Sequence, residues 1–114
     1  MGLKLQWLKD REQREMLERG YLEKNETPEQ RFQTICDTVQ KYANKLATTN
    51  EAREYVKDIG KRFENYVEKG WTSFSTPVLR SFGSEYNLPI SCNHSIIEDS
   101  IDGIYKRFYE TGIL

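Results

Sequence analysis

The most regular pattern in the chain begins at Phe32. Phe32, Ile35, Cys36, Val39, Tyr42, Ala43 and Leu46 recur at intervals of three and four, the spacing that lines up side chains on one face of an α-helix. Arg31, Gln33, Asp37 and Lys41 fall between them and are expected to face elsewhere. Just upstream, Thr27-Pro28-Glu29-Gln30 combines a threonine able to cap, a proline at the first helical position and a glutamine placed to complete a capping box. A helix is therefore predicted to start there. Thr48-Thr49-Asn50-Glu51 repeats the capping signature, and Ala52, Tyr55, Val56, Ile59, Phe63 and Val67 form a second stripe that stops at Gly70. The two stripes predict antiparallel helices joined by a tight turn. Trp7, Leu8, Met16, Leu17 and Leu22 suggest a shorter helix from about Leu5 to Arg19, closed by Gly20.

After Gly70 the texture changes. Residues Trp71 to Gly83 are rich in Ser, Thr, Gly and aromatics, and Pro77 forbids an uninterrupted helix, so a loop is expected. Leu88 to Ile97 mixes β-branched with small polar residues and reads as one short strand. Such a strand needs a neighbour for its backbone groups, and no second strand is legible in the chain. Asp99 or Ser100 can cap a last helix in which Ile101, Ile104, Tyr105, Phe108 and Tyr109 share a face, with Gly112 as its stop. The expected organisation is a helical segment over 1–70, and over 71–114 a loop, a strand and a helix that resemble the opening of an α/β unit completed elsewhere.

Composition narrows the classes of function. The chain has 114 residues, 37% apolar and 31% charged, with 17 basic against 18 acidic side chains. That balance gives no reason to expect nucleic acid as a partner. No apolar stretch approaches the roughly 20 residues needed to cross a bilayer. The start, Met1-Gly2-Leu3-Lys4, lacks the apolar run of a secretory signal. A cytoplasmic protein without a membrane partner is expected. Two cysteines, Cys36 and Cys92, are too few for a disulfide scaffold and lack metal-ligand spacing, so no metal site is expected.

Several residues could carry chemistry. Cys36 lies on the apolar face of a helix, where a thiol behaves as a small protonated hydrophobe. Cys92 lies among small polar residues in Pro89-Ile90-Ser91-Cys92-Asn93, where a ligand could reach the sulfur; structural and functional roles are equally open to it. His94 would share a strand face with Cys92, yet no third residue to orient it can be identified, and a surface histidine is the simpler reading. The hydroxyls of Ser73, Ser75 and Thr76 could hold a phosphate oxygen or bond their own backbone in a turn. Asp99-Ser100 reads either as a plain helix cap or as part of a nucleotide site at a helix start. Tyr105, Phe108 and Tyr109 read as packing surface, and Lys9-Asp10-Arg11-Glu12 as a solvated helix face.

Taken in order, these signals carry a resemblance. Tyr21-Leu22, Glu26-Thr27-Pro28-Glu29-Gln30-Arg31, Ser75-Thr76-Pro77-Val78, Leu88-Pro89-Ile90-Ser91-Cys92 and Asp99-Ser100-Ile101-Asp102-Gly103-Ile104 resemble the amino-terminal portion of the large, catalytic subunit of class I ribonucleotide reductases. The most specific part is the spacing from the Ser-Thr-Pro loop through Ser-Cys to Asp-Ser.

The resemblance implies a mainly α fold, a helical amino-terminal domain followed by the first strand and helix of a ten-stranded α/β barrel that another chain completes. It implies that Cys92 is the first redox cysteine, which with a second cysteine deeper in the barrel reduces the ribose and ends as a disulfide. Ser75 and Thr76 would belong to the loop that holds the substrate diphosphate, with Ser91 as the small polar residue beside Cys92. Asp99, Ser100 and Ile101 would begin the specificity site, where a deoxynucleotide or ATP effector binds at a dimer interface. No cofactor would be bound by this chain itself, since the radical comes from a small metal-containing subunit and electrons from a thioredoxin-like protein.

The departures from the family pattern are equally informative. The radical-bearing cysteine, the partner of Cys92, the catalytic Asn and Glu and the carboxy-terminal redox cysteines would all lie beyond Leu114, and the amino-terminal ATP cone of many relatives is not recognisable. One thiol cannot supply both electrons of a disulfide, so this chain alone is not expected to complete the reaction. A naturally split subunit, with the remainder on a separate chain, is expected; an experimental fragment is the alternative. Two rival functions remain open at this point: a truncated relative that binds and regulates a complete reductase, and a small helical adaptor unrelated to nucleotides.

Overall fold

A computed structural model describes residues 2–85 and 87–113; Met1 and Leu114, the outer ends of the two expected segments, lie outside the described residues. Six helices follow in order: α1 (Arg11–Gly20), α2 (Pro28–Leu46), α3 (Asn50–Val56), α4 (Ile59–Glu68), α5 (Thr76–Ser81) and α6 (Ile101–Gly112). The chain is mainly α, and no strand forms among the described residues.

The capping box of α2 is present as read from the sequence. Gln30 N donates to Thr27 Oγ1 at 3.2 Å and Thr27 N donates to Gln30 Oε1 at 2.8 Å. Thr49 Oγ1 accepts from Ala52 N at 3.1 Å and starts α3 in the expected place. Phe32, Ile35 and Cys36 are buried, and with Leu3, Leu5, Leu8, Leu17 and Val67 they make up most of the core. Four rings bind its layers together. Phe32 meets Trp7 edge-on at 5.7 Å and Phe74 at 5.8 Å, and Phe74 stacks on Phe63 at 6.4 Å.

The departures from the sequence reading have identifiable causes. The first helix starts at Arg11 instead of Leu5 because residues 4–7 serve α4. Gln6 N donates to Glu68 O and Trp7 Nε1 to Val67 O, which satisfies carbonyls that a helix end otherwise leaves open, and Lys4 N donates to the Glu68 carboxylate at Oε1. The second stripe is divided at Lys57–Asp58 into α3 and α4. Here the Gln40 amide bridges the break, donating to Val56 O at 2.9 Å and accepting from Gly60 N at 2.9 Å. Arg31 does not face solvent but is 2% exposed. Within the expected loop, α5 forms with Pro77 in its first turn, where a proline is tolerated.

The segment from Leu88 to Ile97, expected as a strand, has no regular secondary structure. Its backbone has no neighbouring strand with which to form a ladder. At α4's end Gly70 takes φ +70, and a Cβ there would meet the Trp7 ring at 3.0 Å, so the helix stop and the packing of Trp7 need the same glycine. No helix of the described residues is long and apolar enough to cross a membrane.

Candidate functional site

The hydroxyl-bearing loop is held by the start of α5. Ser75 is its N-cap residue, yet only the Ser75 carbonyl is used, accepting from Leu79 N at 3.0 Å; the side chain makes no capping bond. Ser75 and Thr76 are exposed. Beside them lies an open depression of about 390 Å³ lined by Thr76, Pro77, Arg80, Ser81, Ser84 and Leu88. Arg80 is the functional candidate that sequence reasoning missed. Its signal was the four-residue spacing from Thr76, which places both on one helical face once Pro77 is recognised as a first-turn residue.

From α5 the chain turns at Gly83, with φ +82, and at Asn87, with φ +34, before reaching Cys92. Cys92 is a free, exposed cysteine. Ser91 Oγ lies 3.8 Å from Cys92 Sγ, so the small polar neighbour touches the sulfur. No hydrogen bond joins Cys92 to His94 among the described residues. Cys36, by contrast, is fully buried; burial, then the charges of Glu64 and Asp37, push its thiol up to about 12. It is unsuited to nucleophilic or redox work at neutral pH.

The third group sits at the start of α6. Ser100 Oγ accepts from Gly103 N at 3.0 Å, the N-cap bond expected from the sequence. Asp99 and Ile101 are exposed. Gly103 is buried because the chain crosses over it; a Cβ there would lie 2.8 Å from Glu98 Cβ. α6 packs back on the residues before it, with Ile97, Ile104 and Phe108 around a shallow cavity of about 220 Å³ and Arg107 Nε donating to Ile96 O at 2.5 Å.

The structure thus brings Ser91 to Cys92 and Thr76 to Arg80, and it presents Asp99–Ile101 separately. The depression beside α5 reaches Leu88 but does not include Cys92. Among the described residues no group of three or more His, Cys, Asp or Glu side chains gathers in a way that could hold a metal ion.

Comparison with known proteins adds one informative relative. The chain is 35% identical over 100 residues to the ribonucleoside-diphosphate reductase large subunit of Invertebrate iridescent virus 6. The likeness supports a relationship to ribonucleotide reductase large subunits. The match covers 86% of this chain and 9% of the viral protein, so the chain spans about a tenth of that relative's length. No family model matches the chain, and no solved structure matches it.

Proposed function

We propose that this chain is the amino-terminal part of a ribonucleoside-diphosphate reductase catalytic subunit and acts only in an assembly. The observation that carries the reading is the 35% identity running through 86% of the chain. In the assembly Cys92 is one of two thiols that become a disulfide, giving up the two electrons and two protons that convert a ribonucleotide into a deoxyribonucleotide and water. Ser75 and Thr76, with Ser91 beside the thiol, contact the substrate diphosphate, and Arg80 adds a positive charge to that surface. Asp99, Ser100 and Ile101 begin the specificity site for a deoxynucleotide or ATP effector, where helix-start N–H groups favour phosphate.

The remaining parts lie outside these residues: the rest of the barrel with the second cysteine, a small radical-generating metal subunit, and a thioredoxin-like reductant. The exposure of Ile90, Ile96, Ile97, Tyr105 and Phe108 supports such a completion, since apolar side chains gathered over one segment commonly mark a contact surface. The barrel strand would form from Leu88 to Ile97 once a neighbouring strand is supplied.

The test is complementation. Co-production with a polypeptide carrying the rest of the catalytic subunit, together with the small subunit and reductant, is expected to yield deoxyribonucleotide formation that neither piece gives alone. Cys92→Ser should lower that activity by at least about a hundredfold, because a serine cannot enter a disulfide. Full activity in Cys92→Ser would refute the redox role and favour a relative that only binds a complete reductase.

A further inference from the structure

One face of α2 grips the chain between the two halves of the candidate site. Arg31, buried to 2% exposure, donates through Nη2 to the carbonyl of Phe82, the residue that ends α5. Its Nη1 lies 3.8 Å from Glu26 Oε1, and its Nε has no hydrogen-bond partner among the described residues. One and two turns along the same face, Thr34 and Thr38 receive Gly83 so closely that a Cβ on that glycine would overlap Thr38 Oγ1 and lie 3.1 Å from Thr34 Cγ2. Further on, Tyr42 stacks on Phe82 at 6.0 Å and its hydroxyl accepts from Asn87 Nδ2 at 2.8 Å. Asn87 Oδ1 in turn accepts from Gly83 N at 3.0 Å. Positions 31, 34, 38 and 42 follow helical spacing, so one rigid element holds Phe82, Gly83 and Asn87.

A buried guanidinium is costly to desolvate, and a hydrophobic residue in its place is often no less stable. What the hydrophobe would not provide is a directed bond to one carbonyl. The three gripped residues lie after Ser75–Thr76 and before Ser91–Cys92. We propose that Arg31, with Thr38 and Tyr42 behind it, is a positioning residue that sets the separation between the phosphate-binding hydroxyls and the Cys92 thiol. The assignment of those two groups rests on the function proposed above; the positioning itself concerns this chain alone. Neither Arg31 nor Asn87 touches the substrate in that reading.

The experiment uses the full chain with spin labels on Cys92 and on Ser73→Cys, Cys36 being buried against the reagent. The expected result for the parent is a single distance distribution, its width set by residues 88–92 beyond the gripped segment. Arg31→Met and Asn87→Ala should broaden it about twofold or more, and Arg31→Lys, which retains one donor for Phe82, should fall between. An unchanged distribution in folded Arg31→Met overturns the inference. If Arg31→Met does not fold, Asn87→Ala decides in the same way, since its side chain is only half-buried and its loss leaves the core intact. In the reconstituted assembly Arg31→Met should raise KM for the nucleoside diphosphate by about tenfold. A merely destabilised chain would lower the amount of active enzyme and leave KM unchanged, an outcome that also overturns the inference. An assembly that reduces no nucleotide refutes the proposed function, whereas the distance measurement judges the positioning independently.

Discussion

Burial pushes the Cys36 thiol up to about 12, and the Glu64 and Asp37 carboxylates act in the same direction. An unperturbed thiol titrates near 9.0. Between those two values the folded chain keeps a proton that the unfolded chain has lost, so stability falls as pH rises across the window. Below it both states are protonated and the contribution is intact. Cys36→Ala should therefore lose about 1 kcal/mol at neutral pH through the vacated volume, yet decline less steeply than the parent from about pH 9 upward. Urea melts of both proteins across that range compare the slopes; equal slopes would show that Cys36 does not titrate with unfolding. Cys92, exposed and touched by Ser91, has none of this apolar cover. Its accessibility is what a thiol exchanging with a substrate or partner thiol requires.

Among elements, the division of α3 from α4 is the feature most dependent on a single side chain. A helix that stops and restarts leaves carbonyls at one end and N–H groups at the other without partners. The Gln40 amide supplies one of each, and Asn44 Oδ1 accepts its second N–H at 2.8 Å. Gly60 is needed at the restart, where a Cβ would lie 3.0 Å from Gln40 Cβ and 3.3 Å from Cys36 O. Gln40→Leu keeps much of the volume but leaves Val56 O and Gly60 N without their bonds, and should cost about 1–3 kcal/mol in chemical denaturation. A loss below about 0.5 kcal/mol would mean that water replaces the amide at the break. This explains which elements were legible in advance. The start of α2 is a local agreement between Thr27, Pro28 and Gln30, visible without tertiary structure. The break in the second stripe is decided from α2, sixteen to twenty residues away, and no periodicity in residues 50–67 reports it. The late start of α1 has the same origin, because Lys4 and Gln6 bond to Glu68 across the fold. Arg31 was misread for a related reason: charge predicts exposure until a carbonyl such as that of Phe82 is presented to it.

At the scale of the whole molecule, the radius of gyration is 18.6 Å, against about 13 Å for a compact domain of this length. The difference reflects the segment from Leu88 to Ile113, whose Leu88, Ile90, Ile96, Ile97, Ile101 and Phe108 are exposed while the core lies among residues 3–79. The candidate site divides along the same line. Ser75, Thr76 and the Ser100 cap could be read from local motifs, whereas Arg80 required the helix around Pro77, and the relation of Cys92 to the other groups depends on contacts outside the local sequence. A twelve-residue helix such as α6, with its apolar side chains in water, is marginal by itself. Amide hydrogen exchange on the chain alone should therefore find residues 88–97 nearly unprotected, and α6 slowed by no more than about tenfold. The interior amides of α2 and α4 should exchange at least about a thousandfold more slowly. Adding the proposed completing polypeptide should slow residues 88–97 and α6 by about a hundredfold or more, with little change in α2, because a strand gains ladder bonds only from a neighbour and α6 gains cover for its apolar face. Protection of residues 88–97 equal to that of α2 in the isolated chain would show that the segment is already partnered, and the case for completion by a second polypeptide would fail at that point.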